Sequence, residues 1–204
     1  NKNRGRFLMK SYPEIWHKSK QVFVHKLKSF ILGKSDELFV FAFVSLKMVT
    51  YYGNYMMIIG KVVTVFALAI NNIGAGIGNL IAENKKENTL KVFWELSAIR
   101  YFIAGLVCFM LFKHIETFIV LWLGVEYVLP KETLLLMLIY IYINISQGAV
   151  DSFIYGFGVY ADTWSAWVEL SLNLTITIFA GYCWGINGIL LGKIVSVFII
   201  VIFW

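Results

Sequence analysis

The sequence has few charged residues. Asp, Glu, Lys and Arg make up 15% of its 204 residues, whereas about a quarter is usual in soluble domains. Hydrophobic residues make up 59%, and the mean hydropathy is +0.73. These values exclude an ordinary soluble domain and predict an all-α integral membrane protein. Since each transmembrane helix needs about 20 residues, the chain has room for about six helices in one membrane domain.

Cysteine and histidine are also scarce. Cys108 and Cys183 lie far apart in apolar runs, and neither belongs to a CxxC pair or a His/Cys cluster, so we expect both to be packing residues. His17, His25 and His114 are too scattered to form a ligand set. The sequence therefore predicts no metal site and no cofactor.

Catalytic motifs are missing. The sequence has no HExxH, no GxSxG and no carboxylate cluster on a predicted loop, so we predict no enzymatic activity. A membrane-embedded transferase would need an acidic metal cluster or a catalytic histidine paired with a carboxylate, and neither is found. The stretch NNIGAGIGN at 71–79 lacks the GxGxxG spacing of a dinucleotide site. Its Gly74 and Gly78 instead predict a face for close helix packing.

Positive charge is concentrated at the front of the chain. Half of the 18 Lys and Arg residues precede residue 35, and the net charge is +6. In a membrane protein a basic flank marks the cytoplasmic side, so we expect no nucleic-acid partner. Residues 1–19 are predicted to be a cytoplasmic basic segment, and both ends of the chain are predicted to be cytoplasmic. No targeting peptide is visible, and because the chain opens with Asn1 we expect it to be a piece of a longer protein.

Apolar runs predict a six-helix membrane domain over residues 20–204. The spans lie at about 20–46, 50–82, 91–112, 132–155, 164–184 and 186–204. The second span is too long to cross a bilayer straight, so it must tilt, break or protrude. The apolar segment 116–130 is too short to cross the bilayer, so we predict that it forms an interfacial hairpin or helix on the outer face.

The first two spans carry polar stripes. Ionisable groups near the centre of a membrane helix cost at least ~2.5 kcal/mol each, so they usually face a bundle interior or a cavity. Helical spacing places one set of polar residues on a single face of the first span and leaves Lys34 on the opposite side: His25, Lys28, Ser29, Ser35 and Asp36. It also aligns four residues on the second span: Asn54, Lys61, Asn72 and Asn79. We interpret both stripes as cavity lining, although asparagine in a span also commonly bonds a neighbouring helix.

The later spans add two carboxylates. Asp151 ends the fourth span, and Glu169 shares one face of the fifth span with Asn173 and Thr177. These carboxylates are either proton or cation sites or groups that contact headgroups near the inner surface. We expect Lys193, in the last span, to extend its ammonium group outward to the membrane surface.

Several short motifs occur in the order that one transporter family shows. They are Val24-His25-Lys26 leading to Ser35-Asp36, YYGNY at 51–55, AGIGNLIA at 75–82, FIVLWLGVEYVL at 118–129, ELSLNL at 169–174 and GINGILLG at 185–192. Over nearly its whole length the chain resembles the bacterial polysaccharide (Wzx-type) flippases. These belong to the polysaccharide transport branch of the MOP superfamily.

The resemblance implies two six-helix lobes of a MATE-like transporter fold around a central cavity. This chain would be the second lobe, and the N-terminal lobe would be missing. The implied location is the bacterial cytoplasmic (inner) membrane, with membrane lipids as partners. The implied substrate is an undecaprenyl-pyrophosphate-linked oligosaccharide repeat unit, which alternating access carries to the outer leaflet for capsule or O-antigen assembly.

The resemblance also implies roles in substrate binding and ion coupling for the polar residues of these spans. We expect His25, Lys28 and Lys61 to attract the pyrophosphate, and Asn54, Asn72 and Asn79 to bond sugar hydroxyls. Asp36 and Glu169 are candidates for a coupling proton or Na⁺. The alternatives are a cation-coupled multidrug exporter of the same superfamily, which the excess of basic cavity candidates disfavours, and a non-catalytic accessory membrane subunit.

Overall fold

The chain folds into helices. The computed structural model describes residues 13–71, 74–83, 86–158 and 163–203, and every regular element in these ranges is helical. The elements are α1 (Pro13–Phe43), α2 (Leu46–Asn71), α3 (Gly74–Ala82), α4 (Lys86–Trp122), a short 3-10 helix (Val125–Tyr127), α5 (Lys131–Gly156) and α6 (Thr163–Phe203). The predicted all-α class is thus confirmed for the described part of the chain.

Helix α6 is a hairpin of two helical halves. Gly185 lies in its middle with φ 57° and ψ −134°, a conformation outside the helical region that favours glycine. Asn173 Nδ2 donates to Ser196 Oγ at 2.8 Å, although 23 residues of straight helix would separate the two by ~35 Å. The halves therefore run antiparallel. With this hairpin counted as two helices and α2 with α3 as one, the predicted number of six fits.

Two glycines let the halves of the hairpin approach closely. A Cβ atom on Gly188 would lie 1.9 Å from the carbonyl oxygen of Ala180, and one on Gly192 would lie 2.7 Å from Thr177 Cα. Their spacing of four residues places both on one face, as in other small-residue contacts between membrane helices. The close packing predicted at Gly78 was wrong, because this glycine is exposed and a Cβ there would meet nothing within 4 Å.

Three helices are apolar enough to cross a membrane. Among the described residues these are Lys86–Trp122, Lys131–Gly156 and Ala166–Ile199, the last of which takes in both halves of the α6 hairpin and is counted here as one helix. Large apolar side chains also face outward, with Leu121 82% and Phe102 73% exposed. Soluble proteins rarely expose broad apolar surface, so this surface indicates a membrane protein. Helix α1 is not among the three because charged residues interrupt its apolar sequence.

Two apolar cores hold the bundle together at its opposite ends. The larger core lies near the turn at Gly185. The smaller core lies near the end of α5. The larger includes Tyr55, Ile59, Ile115, Met137 and Ile189. The smaller consists of Ile70, Ile77, Leu96, Ala149 and Phe153. Helix α1 packs along α6, and α4 packs along α5.

The segment 116–130 is divided differently from the prediction. Its first part belongs to α4, which continues to Trp122 because residues 116–122 contain neither glycine nor proline. Gly124, at φ 111°, turns the chain, and Leu129 then packs into the core, where its N–H donates to the Tyr55 hydroxyl at 3.2 Å. The long second span is described as α2 and α3, on either side of residues 72 and 73.

Candidate functional site

A polar cavity of about 500 Å³ lies between α1, α5 and α6. On α5 its polar lining recurs every three or four residues, which places these side chains on one helix face. The polar and charged lining residues are Lys28 and Ser29 of α1, Tyr140, Asn144, Gln147, Asp151 and Tyr155 of α5, and Glu169, Asn173 and Lys193 of α6. Ionisable groups from three helices thus converge on one space.

An ion pair on the cavity wall joins α1 to the first half of α6. Lys28 Nζ lies 2.7 Å from Glu169 Oε2, and the two side chains keep 21% and 17% of their surface exposed. Both residues line the cavity. The polar face predicted for α1 and the carboxylate predicted for the fifth span therefore meet, and a ligand in the cavity could reach both groups.

A second ion pair joins α1 to the other half of α6. Lys193 Nζ donates to Asp36 Oδ2, and the side chains are only 4% and 6% exposed. The Tyr52 hydroxyl donates to the same oxygen at 2.9 Å, and Lys193 Nζ lies 4.2 Å from the centre of the Tyr140 ring. Such contacts are what a buried ion pair needs to offset its loss of hydration. The prediction that Lys193 extends outward was wrong, because Asp36 supplies its counter-charge inside the bundle.

The predicted stripe on α1 agrees with the burial along this helix except at Ser29, which is exposed. Ser35 and Asp36 are buried, Lys28 is half-buried, and Lys34 is exposed on the other side. His25 is half-buried but is not among the residues that line the cavity. Asp36 reaches the cavity only through Lys193.

The described residues of the predicted stripe on the second span do not line this cavity. Asn54 is half-buried, Lys61 and Asn79 are exposed, and none of the three lines the cavity. Asn72 lies outside the described residues. In the described residues the two stripes do not form one wall, because Lys28 and Asp36 of α1 pair with α6, and the contact of Asp36 with α2 is made by Tyr52, which is not part of the second stripe.

Sequence reasoning did not recognise the polar face of α5. Tyr140, Asn144, Gln147 and Asp151 follow helical spacing, and this periodicity could have revealed them.

Arg100 of α4 was also missed. Its Nη2 donates to Ser152 Oγ at 3.4 Å, and its guanidinium fills the space beside Gly148, where a Cβ would lie 2.1 Å from Nη1. A charge inside an apolar run was the signal for this residue.

The cavity lining carries balanced charge. Lys28 and Lys193 line it together with Asp151 and Glu169, and Asp36 is bound to Lys193. The excess of basic groups expected from the sequence is therefore absent from this lining. Within the described ranges no group of three or more His, Cys, Asp or Glu side chains could hold a metal ion. The arrangement offers hydrogen bonds and exchangeable ion pairs to a polar ligand.

Comparison of the chain with protein-family models, with curated proteins and with solved structures gives no match. The functional inference therefore rests on the cavity, on its two ion pairs and on the apolar helices that surround them.

Proposed function

We propose that this chain is one lobe of a membrane transporter that carries undecaprenyl-pyrophosphate-linked oligosaccharide units across the bacterial cytoplasmic membrane. The observation that carries the proposal is the polar cavity between α1, α5 and α6, with Lys28 on its wall. Transport would proceed by alternating access, with this lobe rocking against a second one. The polysaccharide branch of the MOP superfamily has this arrangement.

The cost of charge inside a membrane supports a transport role. Ionisable residues at membrane depth are rare and commonly mark the path of a substrate or an ion. Here two ion pairs and Asp151 gather around one cavity. Its volume of about 500 Å³ lies within the usual range of small-molecule sites, roughly 300–1,000 Å³. A pyrophosphate with its first sugar fits such a space, and the second lobe would supply the rest of the wall.

The lining suggests a division of roles. Lys28 would bind the pyrophosphate, and Tyr140, Asn144 and Gln147 would bond sugar hydroxyls, while the lipid tail stays outside between helices. In this proposal the exposed polar line of α2, with Asn54 and Lys61, faces the second lobe. Glu169 is the coupling-ion candidate that a solute in the cavity can reach, whereas Asp36 is enclosed.

A cation-coupled multidrug exporter is the second candidate. Two carboxylates, Asp151 and Glu169, line the cavity and equal the lysines in number. Carboxylates in a cavity of low dielectric attract cationic drugs strongly. Because Glu169 is paired with Lys28, Asp151 is the carboxylate whose substitution distinguishes the two candidate functions.

Polymer export in a deletion strain complemented with the full-length protein tests the proposal. Lys28→Ala is expected to lower export by roughly tenfold, because one charge-assisted contact with the pyrophosphate is lost. Lys113→Ala, at an exposed lysine of α4, is the matched control and should export like the parent. Unchanged export by Lys28→Ala would contradict the proposal. Loss of dye efflux in Asp151→Asn cells that still export polymer would favour the multidrug exporter instead.

A further inference from the structure

The two ion pairs between α1 and α6 differ in their access to solvent. The Lys28 and Glu169 side chains are 21% and 17% exposed, and both line the cavity. The Asp36 and Lys193 side chains are 6% and 4% exposed, and Asp36 does not line the cavity. A ligand that enters the cavity can therefore reach both members of the first pair but only Lys193 of the second.

The two carboxylates also differ in how firmly they are held. Asp36 accepts hydrogen bonds from both Lys193 and the Tyr52 hydroxyl. For Glu169, Lys28 is the one hydrogen-bond donor found in the described part of the chain. Releasing Glu169 thus breaks one contact at a partly solvated site, whereas releasing Asp36 would leave a buried ammonium without a counter-charge.

A phosphate group competes well with a carboxylate for a lysine. The pyrophosphate of the proposed substrate carries at least two negative charges and several acceptor oxygens, whereas Glu169 carries one charge. In a cavity of low dielectric, attraction to Lys28 grows with the charge of the anion. The cavity is also large enough for water to solvate a released carboxylate.

From this contrast we infer that, while the transporter is empty, Glu169 occupies the position on Lys28 that the substrate's phosphate group takes when the substrate binds. The inference rests on the proposed function. When the substrate binds, the Lys28–Glu169 contact breaks and a contact between Lys28 and phosphate forms in its place. The Asp36–Lys193 pair stays intact and keeps α1 attached to α6.

Glu169 consequently has opposite effects on binding and on turnover. It weakens binding because the substrate must displace it from Lys28. It speeds the return of the empty transporter because Lys28 is then closed inside the bundle as part of a neutral pair rather than as an unpaired charge. A residue with a purely structural role would not produce this opposition.

Binding of farnesyl pyrophosphate to the purified full-length protein in detergent tests the inference. Glu169→Gln is expected to lower the Kd about tenfold, which corresponds to ~1.4 kcal/mol. The same variant should slow polymer export in cells, because Lys28 lacks its partner during the return step. Glu95→Gln makes the same chemical change at an exposed pair on α4, where Glu95 lies 3.9 Å from Lys91, and should alter neither quantity.

Three outcomes would contradict the proposed function, the competition between Glu169 and phosphate, or the role of Glu169 in the return step. If the parent does not bind farnesyl pyrophosphate, the proposed function fails, and the inference fails with it. If the parent binds but Glu169→Gln binds equally or more weakly, the competition is refuted while the proposed function stands. Tighter binding with undiminished export refutes the return step. Should Glu169→Gln not fold, Glu169→Asp shortens the side chain by one methylene, and tighter binding is expected of it as well.

Discussion

Lys193 has its counter-charge on a different helix. Its ammonium group contacts Asp36 and the face of the Tyr140 ring, and the side chain is nearly inaccessible. Burying an ion removes its hydration, so the pair is stable only while both members are present. The residue on which Lys193 depends is therefore Asp36.

We predict that Asp36→Asn destabilises the protein by about 3 kcal/mol, because it leaves the Lys193 ammonium buried without a carboxylate. Lys91→Ala removes one partner of the exposed Lys91–Glu95 pair and should cost less than about 1 kcal/mol. Thermal unfolding in detergent measures both effects. Equal shifts of Tm in the two variants would contradict the prediction.

The double variant Asp36→Asn/Lys193→Met separates charge from packing. It removes the ammonium as well as the carboxylate and keeps a long apolar side chain in place, so it should regain much of the stability lost in the single variant.

At the scale of single residues, helical spacing predicted which face of a helix is buried but not which residues form its ion pairs. Helical periodicity is local, so it placed Asp36 and Ser35 inside and Lys34 outside, as the structure does. The partner of Asp36 lies 157 residues further along the chain, and no local pattern contains that pairing. Lys193 was misplaced for this reason, since its surroundings in sequence are apolar and its counter-charge is distant.

At the scale of elements, the α6 hairpin depends on glycine at its contact face. The backbone of Ala180 occupies the space that a side chain at Gly188 would need. Backbone atoms cannot move aside as the end of a flexible side chain can, so the two halves would have to separate.

We predict that Gly188→Ala lowers stability by about 2 kcal/mol, within the range typical of overpacking. Gly60→Ala is the matched control, because it lies on an exposed face of α2 with nothing within 4 Å of the new Cβ. That control should be neutral or slightly stabilising, since alanine is the better helix former. Unfolding in detergent compares the two, and equal stabilities would contradict the close contact.

The ends of elements were predictable where the chain carries a local signal. Pro130 precedes α5, which begins at Lys131, and Gly185 separates the two halves of α6 at the position expected between the last two spans. Helix α4 was predicted too short. Its apolar pattern is interrupted at Lys113 and His114, but a charge does not stop a helix, and the helix continues until Gly124 turns the chain.

At the scale of the whole molecule, the sequence predicts which segments face the cytoplasm. If the basic front lies inside, single cysteines placed within residues 1–20 and 84–88 of a variant lacking Cys108 and Cys183 should resist impermeant thiol reagents added to intact cells. Permeabilised cells provide the control, in which the same cysteines should react. Labelling of either segment from outside would contradict the topology.

The cavity was less predictable than the helices around it. Amphipathic spacing gives the polar face of each helix but not the helix that this face contacts. The stripes on α1 and α2 were expected to share one cavity, yet α1 pairs with α6 through Lys28 and Asp36. The rotation of each helix about its own axis is set by contacts between residues that are distant in sequence. The contribution of α5 to the cavity wall could therefore be recognised only from the tertiary structure.

The two ion pairs also connect segments that are synthesised at different times. Glu169 follows Lys28 by 141 residues. At ~5–20 residues per second, α1 leaves the ribosome roughly 7–30 s before its counter-charges are made. Throughout that interval each unpaired charge on α1 would cost at least ~2.5 kcal/mol at the bilayer centre. Helix α1 is therefore expected to wait at the membrane surface or with insertion machinery and to enter the bilayer together with α6, so that α1 is made well before α6 but assembles with it.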